Sequence, residues 1–217
     1  MSAPRPDKRG ALSALRALVA EKFPQTAFAP AGRLRTGCSP LDVRGGLPRG
    51  VLTEVCGSLA GGQMVIAALL EAAAREAFFL ALIDGADAFD PAQWPEDQLD
   101  RLLWVRCAKV ESALKAADVL VRDGNLPVLV LDLQAVTARR LQRIPVGTWH
   151  RFHRVIESSA TVLVTLTPRP LVEGVPCRMA VRMATPWEAL LEPRVRLPDH
   201  CEVQIFERGS GEIRLSA

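Results

Sequence analysis

The chain has 217 residues, 27 Lys+Arg against 24 Asp+Glu, 49% hydrophobic residues and a formal net charge of +3. At about 100 to 200 residues per domain, this allows one substantial domain with an appendage and excludes disorder for the bulk of the chain. A surplus of three positive charges also excludes nucleic-acid binding by net charge alone, so any such contact has to be local.

Lys8, Lys22, Lys109 and Lys115 are the only lysines, so arginine carries nearly all the positive charge. That bias fits either a GC-rich genome or bidentate recognition of phosphate and carboxylate groups. The five cysteines (Cys38, Cys56, Cys107, Cys177, Cys201) are odd in number, far apart and without a CxxC pair. They point to neither a disulfide framework nor a zinc site, and they suit a reducing cytosol. The opening MSAPRPDKRG has charge without a following apolar run, and no stretch approaches membrane-spanning length, so a soluble cytoplasmic protein is expected.

In chain order, residues 1–10 are polar, and Leu12, Leu15, Leu18 and Val19 then fall at helical spacing before Phe23-Pro24. The segment 1–32 reads as a helical arm and linker, with that apolar stripe as a candidate docking element. The remainder, 33–217, reads as the core domain. From residue 51 onward short apolar runs alternate with helical patterns, as in a parallel α/β sheet covered on both faces. Strands are predicted at 51–56, 78–84, 102–106, 128–132 and 161–167, and helices at 63–76, 110–122 and about 149–158. Shorter alternating strands follow at 177–183, 202–208 and 212–215, the last two joined by the hairpin turn Arg208-Gly209-Ser210-Gly211.

The segment that carries chemistry is VLTEVC followed by Gly57-Ser58-Leu59-Ala60-Gly61-Gly62-Gln63-Met64 and a helical pattern. Glycines at this spacing, between a strand and a helix, let backbone N–H groups turn inward around a phosphate at a helix N-terminus. The lysine that would contact the β and γ phosphates is replaced by Gln63, and the hydroxyl that would hold Mg²⁺ by Met64. Leu59 and Met64 are expected to fill part of the phosphate space with apolar atoms. His150 and His153 lack ligand partners nearby in sequence, and Trp94, Trp104, Trp149 and Trp187 read as packing residues.

The ordered set T-G-C-S-P-L-D (36–42), G-G-L-P-R-G (45–50), the glycine loop, L-I-D-G-A-D-A-F-D-P (82–91) and V-L-V-L-D (128–132) resembles the signature of RecA recombinases across about residues 34–185. The resemblance implies a RecA-like core: a mostly parallel twisted sheet with helices on both faces, extra antiparallel strands toward the C-terminal side and a short N-terminal helix. By the same resemblance Asp132 matches the Walker B aspartate, while the catalytic glutamate falls on Ala86, with Asp84 and Asp87 close by. A one-residue slip would present Asp87. Losses at Gln63, Met64 and Ala86 touch three separate parts of phosphoryl transfer, so a pseudo-ATPase with no catalytic residues and no bound cofactor is expected. Gly57, Gly61, Gly62, Gln63, Met64 and Asp132 would form a vestigial nucleotide site.

The DNA loops of recombinases map to residues 133–148 and 168–177. They make Arg139, Arg140, Arg143 and Arg169 the candidate DNA contacts, with Arg178 just beyond. Within the superfamily the chain is most similar to ImuA, the degenerate RecA-like accessory type of bacterial mutagenesis cassettes. That similarity implies an adaptor in SOS-linked translesion synthesis, active at the nucleoid, with an ImuB-like Y-family polymerase homologue and RecA as partners. Two other readings are a DNA-dependent ATPase or recombination mediator with a divergent loop, and a SulA-like inhibitor of FtsZ.

Overall fold

In the computed structural model, residues 32–183, 201–207 and 213–214 are described. The stripe Leu12, Leu15, Leu18 and Val19, Trp187 and the turn at 208–211 lie outside them. Among the described residues no helix is long and apolar enough to cross a membrane.

Among the described residues one eight-stranded sheet organises the fold, its strands lying in the order 213–214, 201–207, 177–183, 52–57, 162–167, 128–132, 80–84, 102–106. Its parallel part joins β3 (Leu52–Gly57), β4 (Leu80–Asp84), β5 (Leu102–Arg106), β6 (Val128–Asp132), β7 (Val162–Thr167) and β8 (Cys177–Met183). β9 (Cys201–Glu207) then runs antiparallel to β8, and β10 (Ile213–Arg214) antiparallel to β9. The architecture is the expected α/β one, including the antiparallel extension. A separate two-stranded ribbon pairs β1 (Arg33–Leu34) with β2 (Leu47–Pro48).

The central strands are buried on both faces, which is why they read as unbroken apolar runs. In β6, Val128 and Val130 face one core, while Leu129 and Leu131 face the other. The first core packs Val65, Ile66, Leu69 and Leu70 of α2 (Leu59–Glu76) on the sheet. The second packs Val110, Ala113, Ala117 and Val121 of α4 (Val110–Asp123) with Trp149, Phe152 and Ile156 of α6 (Val146–Ile156). Asp118 on α4 pairs with Arg122 at 3.1 Å and with Arg151 of α6 at 3.0 Å, tying the two helices at the rim. Gly124, at φ +68°, ends α4 and donates its N–H to Leu120 O.

The 36–42 motif closes on itself. Asp42, at the end of α1 (Ser39–Asp42), accepts Thr36 N–H and Gly37 N–H at 2.8 Å and Thr36 Oγ1 at 3.0 Å. Thr36 Oγ1 in turn accepts Cys38 N–H at 3.1 Å. Threonine and aspartate at this spacing therefore form a hydrogen-bonded turn, as local side-chain to backbone bonding favours.

Three differences from the expected elements bear on function. α2 begins at Leu59 rather than at 63, because Ser58 stands extended before it and caps it, accepting Gly61 N–H at 3.2 Å. The segment expected as an arginine-rich loop contains the short helix α5 (Ala138–Leu141). A further short helix, α3 (Glu96–Leu99), follows Pro95 with two acidic residues in its first turn.

Candidate functional site at the carboxyl edge of the sheet

Register brings the site residues to one edge. Asp84 ends β4 directly opposite Asp132 at the end of β6, and Asp132 lies opposite Leu166 of β7. β3 is the other neighbour of β7, with Cys56 opposite Thr167, so Gly57 emerges on the same side as both aspartates. This is where ligands of parallel α/β sheets bind.

The glycine-rich turn here is closed. Gly62 N–H donates to Ser58 O at 3.1 Å as an ordinary helical bond, and Gly61 N–H is taken by Ser58 Oγ. Two of the amides that would face a phosphate, those of Gly61 and Gly62, are thus engaged within the first turn of α2. A Cβ on Gly57 would overlap Val181 O, and one on Gly61 would stand 3.1 Å from Val181 Cγ1. Both glycines thus let the turn press against β8. Gln63 is half-buried, and Met64 packs against the first core.

The expectation that Leu59 and Met64 fill the phosphate space is corrected. Leu59 is 53% exposed, since position N1 of the helix points it outward. The side chain that reaches the turn is Gln134, whose Nε2 donates to Ser58 O at 3.0 Å and to Gly57 O at 3.5 Å.

Asp132 is buried, and burial pushes its carboxyl up to about 6. The Gln134 N–H, donated to Oδ1 at 2.9 Å, acts the other way, and the neighbouring Asp84 adds to the rise. Asp84 is committed to structure: it accepts N–H groups from Ala86, Ala88 and Phe89, and Trp104 Nε1–H at 3.4 Å. Trp104 and Trp94 flank Phe89, with ring centroids 5.4 and 5.6 Å away, so these tryptophans pack as expected. Ala86 packs against the second core. Asp87 is exposed, sits at φ +54° and is held by Arg106 through two bonds of 2.7 and 3.0 Å. That pairing lowers its carboxyl below the ordinary range, so Asp87 is engaged by a cation rather than poised as a base.

The candidate DNA contacts divide. Arg139 and Arg140 on α5, Arg143 just after it and Arg169 beyond β7 are all exposed, on the segments leaving two adjacent strands. Arg178 is different, because its Nε pairs with Glu54 Oε2 at 2.7 Å and its Nη2 donates to Val172 O at 2.6 Å. Sequence reasoning missed Glu54, which is fully buried in β3 and also accepts Thr167 Oγ1, Leu171 N–H and Val172 N–H. A charged residue inside an apolar strand was the available signal, since a buried charge requires partners. Gln134 gave no comparable signal. Among the described residues no group of three or more His, Cys, Asp or Glu side chains is arranged to hold a metal ion.

A parallel sheet with a glycine-rich turn from a central strand into a long helix, and aspartates ending the neighbouring strands, defines a nucleotide-loop α/β core of recombinase type. The family model described as the RecA N-terminal domain matches residues 23–142, more than half of the chain, and the chain belongs to that family. It is 38% identical over 120 residues to Protein RecA of Amycolatopsis mediterranei, covering 52% of this chain and 34% of the relative. It is 35% identical over 122 residues to Protein RecA of Rhodospirillum centenum, covering 54% and 34%. The chain therefore spans about a third of the length of these curated relatives. Among solved structures, the RadB recombinase superimposes with a TM-score of 0.54 at 16% identity, covering 68% of this chain and 82% of that one, a likeness of fold.

Proposed function

We propose that this RecA-family chain is an adaptor without nucleotide chemistry that serves damage-induced translesion DNA synthesis, the role its resemblance to ImuA-type proteins implies. The observation that carries the reading is the closed turn: the Gly61 and Gly62 amides are spent inside α2. Gln63, Met64 and Ala86 stand where phosphoryl transfer needs a lysine, a hydroxyl and a glutamate. The useful surfaces are then the stripe Leu12, Leu15, Leu18 and Val19, offered to an ImuB-like polymerase homologue or to RecA, and the exposed arginines Arg139, Arg140, Arg143 and Arg169, offered to DNA. The purified chain is expected to turn over no ATP above background with Mg²⁺, with or without single-stranded DNA. Turnover that disappears in Asp132→Ala overturns the reading. Co-purification with an ImuB-like protein from damage-treated cells, lost in Leu15→Asp, tests the partner.

A second reading, a DNA-dependent ATPase with a divergent loop, draws on Asp132, which keeps its place at the end of an apolar strand beside Asp84. It requires saturable Mg·ATP binding at the turn, which a fluorescent-nucleotide titration measures.

A further inference from the structure

Gly62 lies in the first turn of α2, yet a Cβ there would overlap Gln134 Oε1 and crowd its Cδ and Nε2. Gln134 is only 8% exposed and is held from two sides. Its backbone N–H is bound by Asp132 Oδ1, and its Nε2 is bound by the carbonyls of Ser58 and Gly57. Its Oε1 is buried with no hydrogen-bond partner among the described residues.

The chemistry of the seat agrees. The turn offers Gln134 two carbonyl oxygens, while the Gly61 and Gly62 N–H groups are directed to Ser58 Oγ and Ser58 O. Such a seat suits a hydrogen-bond donor and repels an anion. We infer that Gln134 is the turn's own occupant: a latch from the end of β6 that fills the phosphate space and keeps the β3–α2 junction shut. Gly62 then serves the latch rather than a phosphate. The inference deepens the non-catalytic reading and rests on it.

A double-mutant cycle tests the latch in the full chain, read as thermal midpoint. Gly62→Ala is expected to lower Tm by roughly 3 to 8 °C when Gln134 is present, as overpacking of a buried contact does. In the Gln134→Ala background the same change is expected to be neutral or to raise Tm by about 1 to 2 °C, because alanine is the better helix former. Equal effects of Gly62→Ala in both backgrounds, harmful or harmless, overturn the latch. Should Gly62→Ala not fold, hydrogen exchange of the Gly61 and Gly62 amides in Gln134→Ala decides. An increase of roughly five- to tenfold supports the latch, and unchanged exchange overturns it. The two ideas fail separately, since ATP turnover defeats the adaptor reading and an additive cycle defeats the latch.

Discussion

Two segments leave the carboxyl edge of the sheet from neighbouring strands, and each is anchored by a buried polar side chain in a different way. The segment after β7 is anchored by Glu54, which accepts three donors and pairs with Arg178. The segment after β6 is anchored by Gln134, which satisfies its amide nitrogen and leaves its oxygen without a partner among the described residues. The first is a finished network that ties Leu171 and Val172 to β3 and β8. The second bonds the turn through its amide nitrogen alone. One edge thus holds a four-donor strut and a single-ended closure side by side.

Breaking the strut should have the largest effect. Glu54→Ala leaves the Arg178 guanidinium and two backbone N–H groups without their acceptor, and is expected to cost about 3 to 5 kcal/mol in urea unfolding. A smaller loss would mean that Arg178 escapes to solvent and that the loop does not depend on the pair.

Next comes a change of opposite sign. The Asp132 carboxyl titrates near 6 in the folded state against an ordinary value of 3.8. The folded chain therefore keeps a proton that the unfolded chain has already lost, and stability falls as pH rises from about 4 to about 6. Asp132→Asn, which preserves an acceptor for the Gln134 N–H, is expected to raise stability at pH 7 by up to about 3 kcal/mol and to flatten this dependence. Unfolding midpoints measured from pH 4 to 8 check both. A variant as pH-sensitive as the parent would place the burial cost elsewhere.

Gln134→Ala should be milder than Glu54→Ala, costing about 1 kcal/mol by denaturant melt, because only one end of the amide is bonded. A loss as large as that of Glu54→Ala would erase the distinction between the two anchors. The smallest effect is expected at Asp87→Ala, which removes an exposed pairing with Arg106 and should leave the midpoint unchanged within error.

The fold was largely legible because strands buried on both faces declare themselves as short apolar runs, as 128–132 and 161–167 do. Helix boundaries were less so. The start of α2 depended on whether Ser58 would cap a helix or lead a loop, and the pattern Gly-Ser-Leu-Ala-Gly-Gly allows both. The same ambiguity hid the closure, because glycines that admit a phosphate and glycines that admit a neighbouring side chain look identical in sequence. Gln134 lies more than seventy residues from the turn it reaches, and nothing local marks it. Glu54 could have been found by asking what a carboxylate does inside VLTEVC. Its partner Arg178, 124 residues away, became apparent only when β3 and β8 were placed side by side.

The five cysteines carry a practical consequence. All are buried and none is in a disulfide. Burial and nearby carboxylates push the Cys56 and Cys107 thiols up, away from the reactive thiolate. They lie at separate points of the fold: Cys38 in the self-closing turn, Cys56 next to the closed junction, Cys107 just beyond the edge strand β5, and Cys177 and Cys201 on β8 and β9. The native chain should resist a thiol-specific dye and take it up region by region as it opens. It thus carries a built-in set of position-coded probes, with Cys56, whose thiol meets Met179 O, placed to register the parting of β3 from β8.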